Sequence, residues 1–152
     1  MGSPTTMNAL VAEGVFVVFR HIGDNVWEAP FFTGCLTWEG EGTLPIAEMA
    51  VDAAKLWLST AAKRRHGGNT ARALASMITE AIKSGKWVAG YYSGPPGQEL
   101  TVLKDGHAWL IVNSLGRIGA EVIGLVRQMA GEPKITHNDP SMDTCWGEWR
   151  GK

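Results

Sequence analysis

The stretch ELTVLKDGHAWLIV, residues 99–112, decides the fold class. It holds two runs rich in β-branched and aromatic residues, separated by Lys104-Asp105-Gly106. An Asp-Gly pair supplies the positive φ angles that a tight turn between antiparallel strands requires. The stretch is therefore predicted to be a β-hairpin, with His107 directly after the turn.

A second hairpin is predicted over residues 13–32, where turn residues at 23–25 separate two apolar runs. A third short strand is expected in GCLTWEG, residues 34–40, and another in KWVAGYY, residues 86–92. SGPPGQ, residues 93–98, is expected to be a loop because its prolines cannot donate hydrogen bonds inside a sheet. These segments together predict an antiparallel sheet.

Three helices are expected. Residues 45–65 have one narrow polar stripe, and the remaining circumference, which includes Leu56 and Trp57, is predicted to be largely buried. Gly67-Gly68 end this helix, Asn69 or Thr70 caps the next, and Gly85 closes it. The expected polar stripe comprises Glu48, Asp52, Lys55, Ser59 and Lys63, and the buried face of the second helix comprises Leu74, Ile78, Ala81 and Ile82.

The third helix is predicted over residues 117–130. Gly116, Ala120 and Gly124 are spaced four residues apart, which predicts a groove poor in side chains that a neighbouring backbone approaches closely. The sequence thus predicts an α+β fold, in which an antiparallel sheet of about five to six strands packs against a helical pair and a third helix. Residues 1–8 are interpreted as a flexible leader or an expression-vector remnant, and 9–152 as a single domain with a partly packed tail at 132–152.

Composition excludes several classes of protein. The 152 residues carry 14 basic and 15 acidic side chains, so there is no overall field to attract nucleic acid or anionic lipid. Two cysteines, Cys35 and Cys145, are too few for a disulfide-stabilised secreted scaffold, and the four histidines are scattered. The closest group, His137, Asp139 and Asp143, also fits ordinary turn chemistry. We expect a cytoplasmic protein with no membrane segment, no metal and no cofactor.

The sequence offers two enzyme hypotheses, the first of which rests on the order of a cysteine, a histidine and an asparagine. In papain-like hydrolases a cysteine is followed along the chain by a histidine and then an asparagine, and Cys35, His107 and Asn113 have this order. However, Asn113 lies six residues along the same strand from His107, about 20 Å away if that strand is extended. Cys35 also lacks the helix N-terminus that lowers a thiol pKa. The order alone therefore supports a hydrolase only as an alternative.

The second enzyme hypothesis rests on NSLGRIGAEVIGL, residues 113–125, a turn that leads from a strand into a helix. It resembles the pyrophosphate-binding loop of the acetyl-CoA-binding N-acetyltransferases, which implies an acyl-CoA-dependent transferase using the 113–120 turn. Ile118 stands where that motif has its second small residue, and Gly119 comes one position late. Close packing of the helix explains the same glycines without a ligand.

The remaining candidates are binding surfaces. Residues 63–72 form a basic cluster at the junction of two helices, where an anion or a nucleic-acid phosphate could bind through Arg64, Arg65, Asn69, Thr70 and Arg72. Basic residues at a helix C-terminus are equally explained by the helix dipole, so a nucleic-acid partner is the less favoured interpretation. Four tryptophans near turns or chain ends are predicted to be partly exposed and to bind a partner: Trp27, Trp38, Trp146 and Trp149. We therefore expect a small non-enzymatic protein that binds another protein or a second copy of itself, in part through free sheet edges.

Overall fold

The computed structural model describes residues 6–23, 26–32, 36–39 and 43–151. These residues form nine strands and three helices. In chain order the elements are β1 (Thr6–Ala12), β2 (Val15–Gly23), β3 (Val26–Ala29), β4 (Leu36–Glu39), α1 (Thr43–Arg65), α2 (Thr70–Lys83), β5 (Val88–Gly94), β6 (Gly97–Lys104), β7 (His107–Asn113), α3 (Arg117–Ala130), β8 (Lys134–Asp139) and β9 (Thr144–Arg150).

The strands form one open antiparallel sheet with the order β4-β3-β2-β7-β6-β5-β9-β8, and β1 pairs with β2. Residues 15–17 of β2 pair with β7, and residues 20–23 pair with β3. The predicted α+β class is confirmed. The sheet is larger than the five to six strands expected, because both ends of the described chain contribute strands that the sequence pattern does not indicate.

The hairpins predicted from turn chemistry are present. Asp105 and Gly106, between β6 and β7, both have positive φ, 54° and 77°, as an Asp-Gly turn of this kind requires. β2 and β3 form the second hairpin, and its turn residues Asp24 and Asn25 lie outside the described residues. The expected third short strand is present as β4, which pairs with β3.

Two of the helices cover one face of the sheet. α3 packs on β6 and β7, α2 packs on β5 and β9, and the two helices contact each other along their length. The side chain of Asn69 caps α2 by accepting a hydrogen bond from the backbone N–H of Arg72, as predicted. The layer between the helices and the sheet holds fully buried aliphatic side chains, among them Leu74, Ile78, Val122, Ile123, Leu100, Val102, Leu110 and Val112.

α1 packs against α2 and over β1 and β4. Ala54, Leu58 and Ala62 are buried, and the predicted polar positions Asp52, Lys55 and Lys63 are exposed. The prediction that the rest of the circumference is buried is wrong for Leu56, which is 68% exposed. The reason is that α1 has a neighbour on only part of its circumference, so apolar composition alone does not place a residue in the core.

The expected glycine groove along α3 is also corrected. Ala120 and Gly124 are exposed, and a methyl group added at Gly124 would meet no atom within 4 Å. Of the three predicted positions, Gly116 is closely approached, because an added Cβ there would overlap the backbone of Glu13. A second close approach lies off that face, at Gly119, where an added Cβ would overlap the backbone of Asn113. The two glycines therefore allow the first turn of α3 to lie against the β1–β2 connection.

Both ends of the described chain join the sheet. β1 begins at Thr6 and pairs with β2, so residues 6–8 of the segment interpreted as a leader belong to a strand, and residues 1–5 lie outside the described residues. The segment 132–152, expected to be a partly packed tail, contains the β8–β9 hairpin, and β9 pairs with β5 along six residue pairs. β9 is thus an interior strand.

Candidate functional site

Two of the four tryptophans that are expected to form a binding surface are buried. Trp27 and Trp149 are buried, with 6% and 4% of their surface exposed, which contradicts the prediction that they are accessible. Trp149 lies under the end of α3, where its indole Nε1 donates a hydrogen bond of 2.7 Å to the carbonyl of Gly131. The backbone of Trp38 pairs with Trp27, and its side chain lies outside the described residues. Trp146 remains, 40% exposed.

A concave surface lies between α1 and α2, and we call it the α1–α2 groove. Its volume is about 740 Å³, within the range of ligand and peptide sites. One wall comes from the last three turns of α1 and the other from residues 73–80 of α2. Its lining residues are Leu56, Trp57, Thr60, Ala61, Arg64, Arg65, His66, Ala73, Ser76, Met77 and Glu80.

The groove is apolar along its length and basic at one end. Leu56 is exposed, and Trp57 and Met77 are half-buried, so apolar side chains face the opening. Arg64 and Arg65 are exposed at the C-terminal end of α1, and neither has an ion-pair partner among the described side chains. Among the described lining residues, Glu80 is the single acidic one. The groove therefore combines apolar contact with net positive charge.

The predicted anion-binding cluster is only partly assembled. Arg64 and Arg65 line the groove, whereas Asn69, Thr70 and Arg72 do not. Asn69 uses its side-chain oxygen to cap α2, so that oxygen satisfies a backbone donor of the chain itself. The sequence located the two arginines, but it did not indicate Leu56 and Met77 as their neighbours.

A second, smaller concavity of about 380 Å³ lies on the sheet face opposite the helices. Ala89 and Tyr91 of β5 are buried toward the helices, so Gly90 and Tyr92 point to the other face. Gly90 lies between Thr101 of β6 and Glu148 of β9, and its missing side chain leaves a gap that we call the Gly90 notch. The lining also includes Glu99, Tyr92 and Trp146.

Register places the polar and aromatic residues of the notch in one row. Tyr92 pairs directly with Glu99 on one side and with Trp146 on the other. The Tyr92 and Trp146 rings are 5.7 Å apart and tilted by 55°, and His137 lies on the far side of Trp146 with ring centroids 5.1 Å apart. The sequence could not indicate this row, because it depends on the register of β9 against β5.

Of the proposed Cys–His constellation, His107 and Asn113 lie within the described residues, and Cys35 lies outside them. His107 pairs with Lys104 at one end of β7, and Asn113 pairs with Glu99 at the other end. The Asn113 side-chain oxygen accepts a hydrogen bond of 3.1 Å from the Leu115 backbone N–H. As the sequence analysis anticipated, Asn113 cannot orient the His107 ring.

The 113–120 turn is occupied by internal contacts. The backbone N–H of Ser114 donates to Gln98, that of Gly119 to Glu13, and that of Ala120 to Gly116, at 2.8–2.9 Å. Together with the Leu115 N–H, four backbone donors of the 113–120 turn are engaged within the chain and are not free to bind a pyrophosphate. This geometry favours the structural interpretation of the glycines.

Other possible sites are sparse in the part of the chain that the structure describes. There, no three His, Cys, Asp or Glu side chains come together as metal ligands would, and no helix has a span suited to crossing a membrane. The pKa of Asp139 is lowered, chiefly because the Ser141 hydroxyl donates a hydrogen bond of 2.6 Å to its carboxylate. That bond closes the β8–β9 turn and therefore has a structural role.

No protein-family model, curated protein or solved structure matches the chain significantly.

Proposed function

We propose that this protein is a non-enzymatic binding module that holds a helical segment of a partner protein in the α1–α2 groove. The observation that carries the proposal is Leu56, a large apolar side chain 68% exposed at the mouth of a groove of about 740 Å³. An amphipathic helix that lays its apolar face into such a groove buries both surfaces.

The positive charge at one end of the α1–α2 groove indicates a partner that carries negative charge. Arg64 and Arg65 stand at one end of the groove without carboxylate partners among the described side chains. Arginine forms bidentate hydrogen bonds with carboxylates and is common at interfaces for that reason. The partner helix is thus expected to carry apolar residues three and four apart and acidic residues near the end that meets these arginines.

The test is selection from a displayed library of helical peptides, followed by titration of a selected peptide against the full-length protein. Selected sequences should combine an apolar stripe with an acidic end. Leu56→Gln and the double variant Arg64→Gln, Arg65→Gln should each weaken binding about tenfold or more, since exposed hot-spot residues of this kind contribute at least 1–2 kcal/mol.

The chain offers matched controls. Leu115, 69% exposed, lies outside the groove, so Leu115→Gln should leave peptide binding unchanged. Lys134→Gln removes an exposed positive charge on β8 and serves the same purpose for the arginines. Peptides that bind the Leu56→Gln protein as tightly as the parent would contradict the proposal, and so would self-association of the protein that blocks every peptide.

A further inference from the structure

The Gly90 notch has features of a cation site. Cation–π contacts already occur in this protein: the Arg20 guanidinium lies 5.6 Å from the Trp109 ring centroid, and the Lys104 ammonium lies 5.1 Å from that of Trp87. Among the described residues, no lysine or arginine of the chain occupies the corresponding position over Tyr92 or Trp146. His137 packs against the far side of Trp146, so the Tyr92 ring and the near side of the Trp146 ring are the aromatic surfaces that a cation from outside could reach.

A carboxylate accompanies these rings. Glu99 is exposed, lines the notch, and has no basic partner among the described side chains. Its contact within the notch is the Thr101 hydroxyl, which donates a weak hydrogen bond of 3.4 Å. The other acidic neighbour, Glu148, is engaged by Arg150 at 3.0 Å. The charge at the notch that remains without a partner is negative.

The shape of the Gly90 notch indicates which class of ligand it can bind. The Tyr92 and Trp146 rings are tilted by 55°, so they form two walls at an angle and not a flat platform for a sugar ring. A volume of about 380 Å³ lies at the small end of ligand sites, which span about 300–1,000 Å³. A cation that is round and weakly hydrated fits a site made of two tilted aromatic walls and a carboxylate.

We infer that the Gly90 notch binds a quaternary ammonium group, which lies against the tilted rings of Tyr92 and Trp146 and is neutralised by Glu99. Such a group occurs in choline compounds and in trimethylated lysine, and both sources share the chemistry that the notch recognises. The site lies on the face of the sheet opposite the helices and is independent of the α1–α2 groove.

The experiment is an NMR titration of the full-length protein, in which the indole N–H resonance of Trp146 is assigned by its absence in Trp146→Phe. Choline and trimethyllysine are added separately, each against sodium chloride at equal ionic strength. Saturable shifts of the Trp146 resonance are expected with both, and the tighter ligand identifies the source. The neutral isostere 3,3-dimethyl-1-butanol should bind at least about tenfold more weakly, because it lacks the charge on which the cation–π attraction depends.

Variants distinguish a loss of choline binding from a loss of stability. Trp146→Ala should weaken choline binding about tenfold or more, and Glu99→Gln should weaken it severalfold, whereas Glu121→Gln on the exposed side of α3 should leave it unchanged. Gly90→Val fills the notch, and the first added atom meets only the Leu103 side chain at 3.6 Å and the Thr101 carbonyl at 3.9 Å. This variant should keep its melting temperature and lose the choline response. Equal binding of the neutral isostere, full binding by Gly90→Val, or no saturable shift would each overturn the inference.

Discussion

Leu56 and Trp57 are adjacent in sequence, yet their side chains meet different surroundings. Leu56 faces the opening of the α1–α2 groove, whereas the Trp57 ring packs against Phe32 with centroids 4.7 Å apart. On a helix, neighbouring residues point about 100° apart, so one can contact the core while the next meets water. Similar hydrophobicity therefore does not imply similar burial on α1.

The two positions should respond differently to substitution. Leu56→Gln is expected to change the free energy of unfolding by no more than about 0.5 kcal/mol, because little buried surface is lost. Trp57→Ala should lower it by about 2 kcal/mol or more, because the contact with Phe32 disappears and a cavity remains. Urea denaturation of both variants measures the difference. Equal destabilisation would show that Leu56 is packed in solution and would also remove the basis of the proposed groove.

Among the secondary-structure elements, the turns and helix ends that a few consecutive residues determine could be predicted from the sequence. The β6–β7 turn follows from Asp105-Gly106, and the start of α2 follows from the capping side chain of Asn69. The bounds of α3 follow from its apolar period and from Gly131 after its last residue. Each of these features depends on a few consecutive residues, so the sequence carries enough information.

The missed strands β1 and β8 have residue patterns that do not clearly mark them as strands. β8 has exposed side chains along nearly its whole length, so it lacks the alternation that marks a half-buried strand. β1 does alternate, with Ala9 and Val11 buried, but Leu10 between them is exposed and obscures the pattern. β8 forms a hairpin with β9, and β1 forms a hairpin with β2, but the residue patterns of β8 and β1 alone do not indicate these hydrogen bonds.

The glycines of α3 give a matched test at this scale. Gly124→Ala should stabilise the protein by about 0.5–1 kcal/mol, because the site is open and alanine is the better helix former. Gly119→Ala should destabilise it by about 2–3 kcal/mol, because its Cβ would overlap the Asn113 carbonyl oxygen and lie 2.9 Å from that of Gly14. Thermal melting of the two variants should move in opposite directions. A stabilised Gly119→Ala protein would refute the close approach of α3 to the β1–β2 connection.

For the whole molecule, the most consequential feature is the extension of the sheet by β9. This strand lies between β5 and β8, and its Trp149 contacts Tyr91 with ring centroids 5.4 Å apart. The position of Trp149 near the end of the sequence predicts an exposed side chain, whereas this side chain is buried. The same side chain also fills a large space at the margin of a core when a partner for its N–H is available, and Gly131 supplies that partner.

Trp146 and Trp149 should therefore separate binding from stability. Trp149→Ala is expected to lower the free energy of unfolding by about 3–5 kcal/mol, since it removes a buried indole and leaves the Gly131 carbonyl without its donor. Trp146→Ala, on the same strand but on the opposite face, should change it by no more than about 1 kcal/mol. Urea denaturation monitored by far-UV circular dichroism compares the two. Trp149→Phe should recover most of the lost stability, because the phenyl ring restores packing against Tyr91 while the hydrogen bond stays absent. If Trp149→Ala unfolded at the same urea concentration as the parent, the hairpin from 134 to 150 would not be part of the cooperative unit, and the sheet would end at β5.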